Sequence, residues 1–406
     1  MKKELWFWGV LLFGASLVLS CSDKDNDDNS EEKENIIEEN KGKVEEAGLR
    51  LLDDVEELAN EPGVKVSQHF MKLTENLQVG GISNGSIPVP LVNAIAKIGD
   101  IEDFKNFTSS VKLDGTGEEE DYSLQELWNE QGTYTYNYET KEWEYVAGEQ
   151  GVVFLFPASE SDEENNVSLT IIDLQTKLID EEYVPTAVEL VMVKGEQTIV
   201  DLFYSAKLIS GEDLPQSFDV KLILSDYEFS FNESIINNVT FESAMSLKKA
   251  EILILEITLG GEGDFSQAEF QQESTDVFNT ANFKINIGTI MMKGEGNLKA
   301  IHDGEMNIRN RYEGMPDTYE NRREREREMV QLVNNNMSLT LGFSDASETI
   351  ADVEWVVIED EASDDIYVDI QMVFPDGSKV DSETYFGQML DNFLEELTNI
   401  ENTIES

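Results

Sequence analysis

Between Gly132 and Phe374 one signal keeps returning: short runs in which apolar side chains recur at every second position. A period of two marks a strand with one face buried, because successive side chains point to opposite faces of a sheet. "GTYTYNYETKEWEYV" alternates aromatics about a polar middle and predicts a hairpin, and "GVVFLFP" predicts a buried strand. Val167–Leu178, Ala187–Val193, Thr198–Ile209, 218–231, Val239–Met245 and Glu251–Leu259 continue the series. Phe283–Met292, Met337–Phe343, Val353–Ile358 and Ile366–Phe374 complete it. The links are short and carry no regular helix, whereas parallel strands need crossovers of about a dozen residues or more. The pattern therefore predicts a large, mostly antiparallel β-sheet: a curved sheet, a sandwich or an open barrel.

Details of phase refine this. Phe218, Val220, Leu222 and Leu224 share one parity, and Tyr227, Phe229 and Phe231 have the other. A slip by an odd number of residues at Ser225-Asp226 predicts a bulge or a sharp bend. "VMVKGEQ" at 191–197 and "IMMKGEG" at 290–296 share one pattern, which predicts the same tight turn twice.

The flanks have helical spacing, which makes the fold class α+β. A helical N-terminal region is expected over 35–130 and a β-rich domain over 131–406. Val44, Gly48, Leu51, Val55 and Leu58 form one stripe, ended by Pro62-Gly63. Val66, Phe70, Leu73 and Leu77 mark a second helix, Leu91–Ile98 a third, and the capping pair Ser123 and Glu126 a fourth. A crossover helix is expected near 317–334. A C-terminal helix is expected near 384–404, where Phe386, Leu390, Phe393, Leu397 and Ile400 align.

The chain opens with Lys2 and Lys3, followed by an apolar run from Leu5 to Val18 that ends at "VLSC". The run is shorter than the roughly 20 residues of a membrane-spanning helix and has the proportions of a signal-peptide core. Ser20-Cys21 after such a core resembles the lipobox of bacterial lipoproteins. The following "SDKDNDDNSEEKE" resembles the acidic stretch that routes Bacteroidota lipoproteins to the cell surface. The resemblance covers residues 1–34. It implies a signal peptide over 1–20, lipidation of Cys21, an acidic tether over 21–34, and an outer-membrane location facing the cell exterior. The membrane would then be a partner through the acyl chains on Cys21. Asp23, Asp25, Asp27 and Glu34 match a calcium-loop register, but Asp28 stands where the sharp turn needs glycine.

Eighty-four acids against 29 bases give a net charge of −55, which repels phosphate backbones and excludes a nucleic-acid partner. The two histidines, His69 and His302, lie in no metal-ligand spacing; His69 has the setting of a core histidine and His302 that of a loop. "GISNG" at 81–85 matches G-x-S-x-G, but Ser83 lacks the strand before it and the helix after it that a nucleophile needs. No glycine-rich phosphate loop occurs. Catalytic, cofactor-binding and metal residues are therefore assigned to none. Trp128, Trp143, Trp355 and the tyrosines near 134–145 fit a sheet core better than a sugar platform, although the hairpin could show one aromatic face to solvent.

Six of the seven arginines fall between 309 and 327: Arg309, Arg311, Arg322, Arg323, Arg325 and Arg327. Asp317 and Glu320 predict a capping box for a helix there, and Asn334, Asn335 and Asn336 predict its left-handed stop. Arg322–Glu326, Glu320–Arg323 and Glu324–Arg327 have ion-pair spacing. The cluster is a crossover helix anchored at both ends and solvated in the middle, a patch for an anionic partner, or a set of bridges to the protein's own acidic surface; Glu320, Glu324, Glu326 and Glu328 balance the four local arginines and favour the first. The expectation is a non-enzymatic binding or structural component with a surface protein or glycan as partner. A carrier of apolar ligand, with Met291, Leu255 and Phe229 lining a cavity, is the first alternative. A carboxylate-based carbohydrate-active enzyme is the second.

Overall fold

A computed structural model describes residues 31–74, 128–129, 131–149, 151–179, 182–208, 215–265, 277–344, 349–360, 365–381 and 385. The signal peptide, Cys21, Ser83, the helix at 91–98, the cap at Ser123 and the C-terminal stripe from Phe386 lie outside these residues. The tether expected over 21–34 is helical from Glu31 onward.

Four helices are described: α1 (Glu31–Ala59), α2 (Pro62–Thr74), α3 (Leu298–Tyr312) and α4 (Tyr319–Asn336). The strands begin with β1 (Gly132–Asn137), β2 (Glu142–Ala147), β3 (Val152–Phe156) and β4 (Val167–Ile179). Next are β5 (Glu182–Lys194), β6 (Gln197–Leu208), β7 (Pro215–Leu224) and β8 (Tyr227–Ile236). Then come β9 (Thr240–Lys249), β10 (Ile252–Gly263), β11 (Phe278–Ile287) and β12 (Ile290–Gly296). The last are β13 (Met337–Phe343), β14 (Thr349–Asp360), β15 (Asp365–Val373) and β16 (Lys379–Asp381). They hydrogen-bond in the order β16 through β3, each to its neighbour in sequence, and then β1 and β2. The sheet is open, with β16 and β2 as its end strands. It is mostly antiparallel, with β1 running parallel to β3.

The parity slip at Ser225-Asp226 is a hairpin turn: Leu224 pairs with Tyr227, and Ser225 takes a positive φ of 53°. Two expectations need correction. Phe283–Met292 is not one strand; it breaks at Gly288, with φ of 55°, into β11 and β12. "IMMKGEG" is not a turn but lies inside β12, while "VMVKGEQ" does turn, at Gly195. Gly294 tolerates this because it faces Phe283, whose ring fills the place of a side chain; a Cβ there would meet Cε1 at 2.5 Å. The segment expected as a crossover joins β12 to β13, which are antiparallel neighbours. It contains two helices, α3 and α4, rather than one.

The chain divides into two units. One holds the described residues within Asp53–Ser234 and Met245–Leu253. Its core is one face of the strands: Phe154, Leu169, Leu190, Met192, Leu202 and Leu222 lose all exposure. α2 begins with Pro62, whose missing N–H and fixed φ suit a first helical position. Its apolar face carries Val66 and Phe70 into that core. Phe70 meets Trp143, Phe154 and Phe156 at ring distances of 6.1, 5.4 and 4.7 Å. The Trp143 indole donates to the Leu73 carbonyl, closing the helix onto β2. Tyr134, Tyr136 and Trp143 are therefore core residues, while Tyr138 and Tyr145 of the same hairpin are exposed.

The other unit holds the described residues within Met1–Leu52, Ile235–Ala244 and Ile254–Thr398. Its main core joins Val44 and Ala47 of α1 to Ile290, Leu341, Ala351, Val353, Ile370 and Met372. A smaller cluster gathers Ile235, Phe241, Phe265 and Phe278. Gly48, expected within the helix stripe, meets nothing within 4 Å, and Ala47 takes the buried place.

The turn from β9 to β10 puts two ordinary residues in left-handed backbone, Ala250 at φ 46° and Glu251 at φ 70°. This conformation costs an L-residue with a Cβ about 1–2 kcal/mol. Replacing the pair with Asn-Gly (Ala250→Asn with Glu251→Gly) should stabilise the fold by about 1–2 kcal/mol. A urea midpoint that stays level or falls would contradict this turn geometry.

Candidate functional site

The six clustered arginines all belong to the α3–α4 segment, and each meets an acid. Arg309 pairs with Glu305 at 2.9 Å and Arg311 with Glu328 at 2.8 Å, the latter joining α3 to α4. Arg322 stands 4.0 Å from Asp317, and Arg325 binds Glu326 at 2.9 Å. Arg323 and Arg327 both reach Glu359 on β14, at 3.9 and 2.6 Å, and Tyr319 approaches the same carboxylate at 3.4 Å. Of the pairs that spacing predicts, Glu324–Arg327 forms at 3.6 Å. The shortest, Arg327 to Glu359, reaches instead to a residue 32 positions away, which helix periodicity cannot reveal.

The helix ends also differ from expectation. The N-cap of α4 is Thr318, whose hydroxyl accepts from the Asn321 N–H, rather than Asp317. The asparagines make no left-handed stop; the helix passes into β13 through an extended Met337. Asn334 has another task. The β13–β14 ladder ends at Asp352, and three residues on the Asn334 amide takes the place of a pairing strand. It donates to the Trp355 carbonyl at 2.8 Å and accepts from the Trp355 N–H at 2.9 Å. From Asn334 back to Arg327 the helix advances about 10 Å, and from Trp355 to Glu359 the strand advances about 13 Å. These lengths match, so α4 runs alongside β14, tied at both ends. It covers backbone that would otherwise be an open edge. No residue of α4 is fully buried, so these polar ties and the seat of Leu332 over Gly304 hold it in place.

The second feature lies on the strands of the same unit. Directly opposed residues share a face, so register sorts β10–β14 into rows. Leu255, Ile287 and Ile290 form one row, with Ile290 buried in the core and Ile287 packed against it. The opposite face is polar. Glu256, Asn286 and Met291 form one row there, and Lys284, Lys293, Thr340 and Asp352 the next. These rows tie themselves together: Lys284 and Asn286 bind Glu256 at 2.8 and 2.6 Å, and Thr340 donates to Asp352 at 3.3 Å. Farther along, Lys379 and Gln371 bind Glu354, and the Lys379 hydrogen bond holds its carboxyl below the ordinary range.

One row is left open. Gly260, Asn282, Glu295 and Ser338 oppose one another across four strands. Asn282, Glu295 and Ser338 make no side-chain hydrogen bond or ion pair within the described residues. They line an open hollow of about 580 Å³ together with Asn297, Asn335 and Asn336 at the ends of α3 and α4. Asn297 caps α3 by accepting from Ala300, and Asn336 donates to Leu332, while the Asn335 amide meets no partner among the described residues. Sequence reading weighed these asparagines only as a helix stop. The row that brings Asn282 and Glu295 beside them appears only with the register.

Other singled-out residues stand apart. His69 is buried in α2 with no partner on Nε2, and burial lowers its pKa. His302, expected in a loop, lies within α3. Met291 and Leu255 occupy opposite faces of the sheet, so no single cavity is lined by both. Among the described residues, no three His, Cys, Asp or Glu side chains are grouped to hold a metal ion, and no helix is long and apolar enough to cross a membrane. No family model, curated protein or solved structure matches the chain.

The ties of α4 differ in kind, and unfolding should separate them. Asn334→Ala should cost about 1 kcal/mol in urea denaturation, since two backbone hydrogen bonds go. Arg327→Gln should cost up to about 1 kcal/mol, an effect that fades in high salt. Arg325→Gln, which breaks only a contact to its neighbour in the helix, should stay within about 0.5 kcal/mol of the parent. Equal effects from all three would refute the docking described.

Proposed function

We propose that this chain is a lipid-anchored protein of the outer membrane, facing the cell exterior, and that it acts as a non-enzymatic binding component. The address rests on the lipobox-like end at Ser20-Cys21 and the acidic stretch behind it. Cys21 is the only cysteine, so no disulfide competes for it. The binding role rests on one observation: a row of polar side chains that opens into a hollow, while Glu256, Lys284, Asn286, Thr340 and Asp352 on the same face are tied to one another. Asn282, Glu295, Asn335 and Ser338 are exposed, so they meet water, and a ligand rich in hydrogen-bonding groups can take the place of that water. The arginines support this assignment by elimination. Each already answers an acid of the protein, so the hollow rather than the arginine helix is the ligand site.

The lining contains one carboxylate, Glu295, and no histidine, lysine or arginine. Glycoside hydrolysis of the ordinary kind uses two carboxyl groups flanking the bond, and the hollow supplies one. This favours binding over chemistry.

Labelling with an alkyne-tagged fatty acid in the producing cell tests the anchor. The parent chain should take up label and fractionate with the outer membrane, and Cys21→Ala should abolish both. Protease added to intact cells should digest the parent. An unlabelled parent chain, or one protected until the cells are broken, would contradict the proposed address.

A further inference from the structure

We infer that the hollow takes a neutral polyhydroxylated ligand, a short stretch of uncharged glycan gripped by asparagine amides. This deepens the reading of the protein as a binding component and rests on it.

Charge restricts the ligand first. The hollow is lined by no cation and by one acid, Glu295, on a chain of net charge −55. Lys293 is the next residue of the same parity on β12, but it is not part of the lining. A phosphate, sulfate or uronate would meet a carboxylate and no guanidinium or ammonium, so anions are disfavoured. Wall chemistry restricts it next. Apolar ligands need apolar walls, and here only Ala281 and Met337 offer carbon side chains. What remains is uncharged and rich in hydrogen-bonding groups.

The donor set matches that remainder. Each asparagine amide offers two N–H donors and an acceptor oxygen, and a hydroxyl can answer both. Asn282, Glu295 and Ser338 stand on adjacent strands, so their backbones are about 4.8 Å apart. Asn335 adds an amide from the helix side. A hollow of about 580 Å³ falls within the roughly 300–1,000 Å³ of small-molecule sites.

Gly260 supports the placement of Asn282. A Cβ at Gly260 would lie 2.9 Å from the Asn282 Oδ1 and 3.1 Å from its Nδ2. The amide thus rests on a bare backbone, and any larger residue beneath would push it off its seat.

The test is a glycan array and a titration with the full-length lipoprotein in detergent. Uncharged oligosaccharides should be retained, and those carrying uronate or sulfate should not. Asn282→Ala and Asn335→Ala should each weaken binding about three- to tenfold. Gly260→Ala leaves every lining residue in place but displaces the Asn282 amide, and should weaken binding similarly with an unchanged urea midpoint. Preference for anionic glycans, retention of none, or binding indifferent to all three substitutions would overturn the inference. Shortened glycan products from the parent chain, lost in Glu295→Gln, would overturn the non-enzymatic reading instead while leaving the ligand class standing.

Discussion

Every feature of this protein depends on backbone pairing between strands that follow one another in sequence. Once each strand bonds to the next, side-chain parity is transmitted across the sheet, and one alternating segment sets the face of its neighbour. The row Leu255–Ile287–Ile290 and the row Gly260–Asn282–Glu295–Ser338 are products of that transmission. Their members are scattered through more than 80 residues of chain, yet register places them shoulder to shoulder. A slip by one residue anywhere in β10–β13 would exchange core for solvent. The turn between β11 and β12 opposes it, where Gly288 takes the positive φ that a tight reversal demands.

The α3–α4 insertion shows how an acidic protein uses scarce cations. An exposed ion pair contributes little by itself. Glu359, however, gathers Arg323, Arg327 and Tyr319 at one point, and Asn334 pairs with the Trp355 backbone at another. Together they lay a polar helix beside a strand that has outrun its partner. Long open strand edges invite association with other chains, and covering one with a helix removes that hazard. The concentration of arginine in this segment is thus explained by architecture. The same insertion brings Asn297, Asn335 and Asn336 to the polar face, so the hollow is a consequence of the helix docking.

Period-two alternation made the antiparallel sheet legible in the sequence, helical stripes made α1 and α2 legible, and capping signals made α4 legible. The parity break at Ser225 was legible as a bend for the same reason. α3 was not, because its apolar residues are few and only Ile308 is buried. The strand break at Gly288 was hidden because residues on both sides keep apolar character. Asn334 was read as a helix stop, since asparagine tolerates left-handed backbone; tertiary pairing with Trp355 overrode that preference. The hollow left no local trace. Its residues come from β11, β12, β13 and two helix ends, and only the register unites them.

The parity of β12 and β13 is the claim on which the account stands, and cysteine accessibility measures it most directly. In a chain carrying Cys21→Ser, single cysteines at Lys293, Glu295 and Ser338 should react at once with a water-soluble maleimide. Cysteines at Ile290 and Leu341 should react only after unfolding in urea. Similar rates at all these positions, or the reverse order, would contradict the register and with it the polar face that carries the hollow.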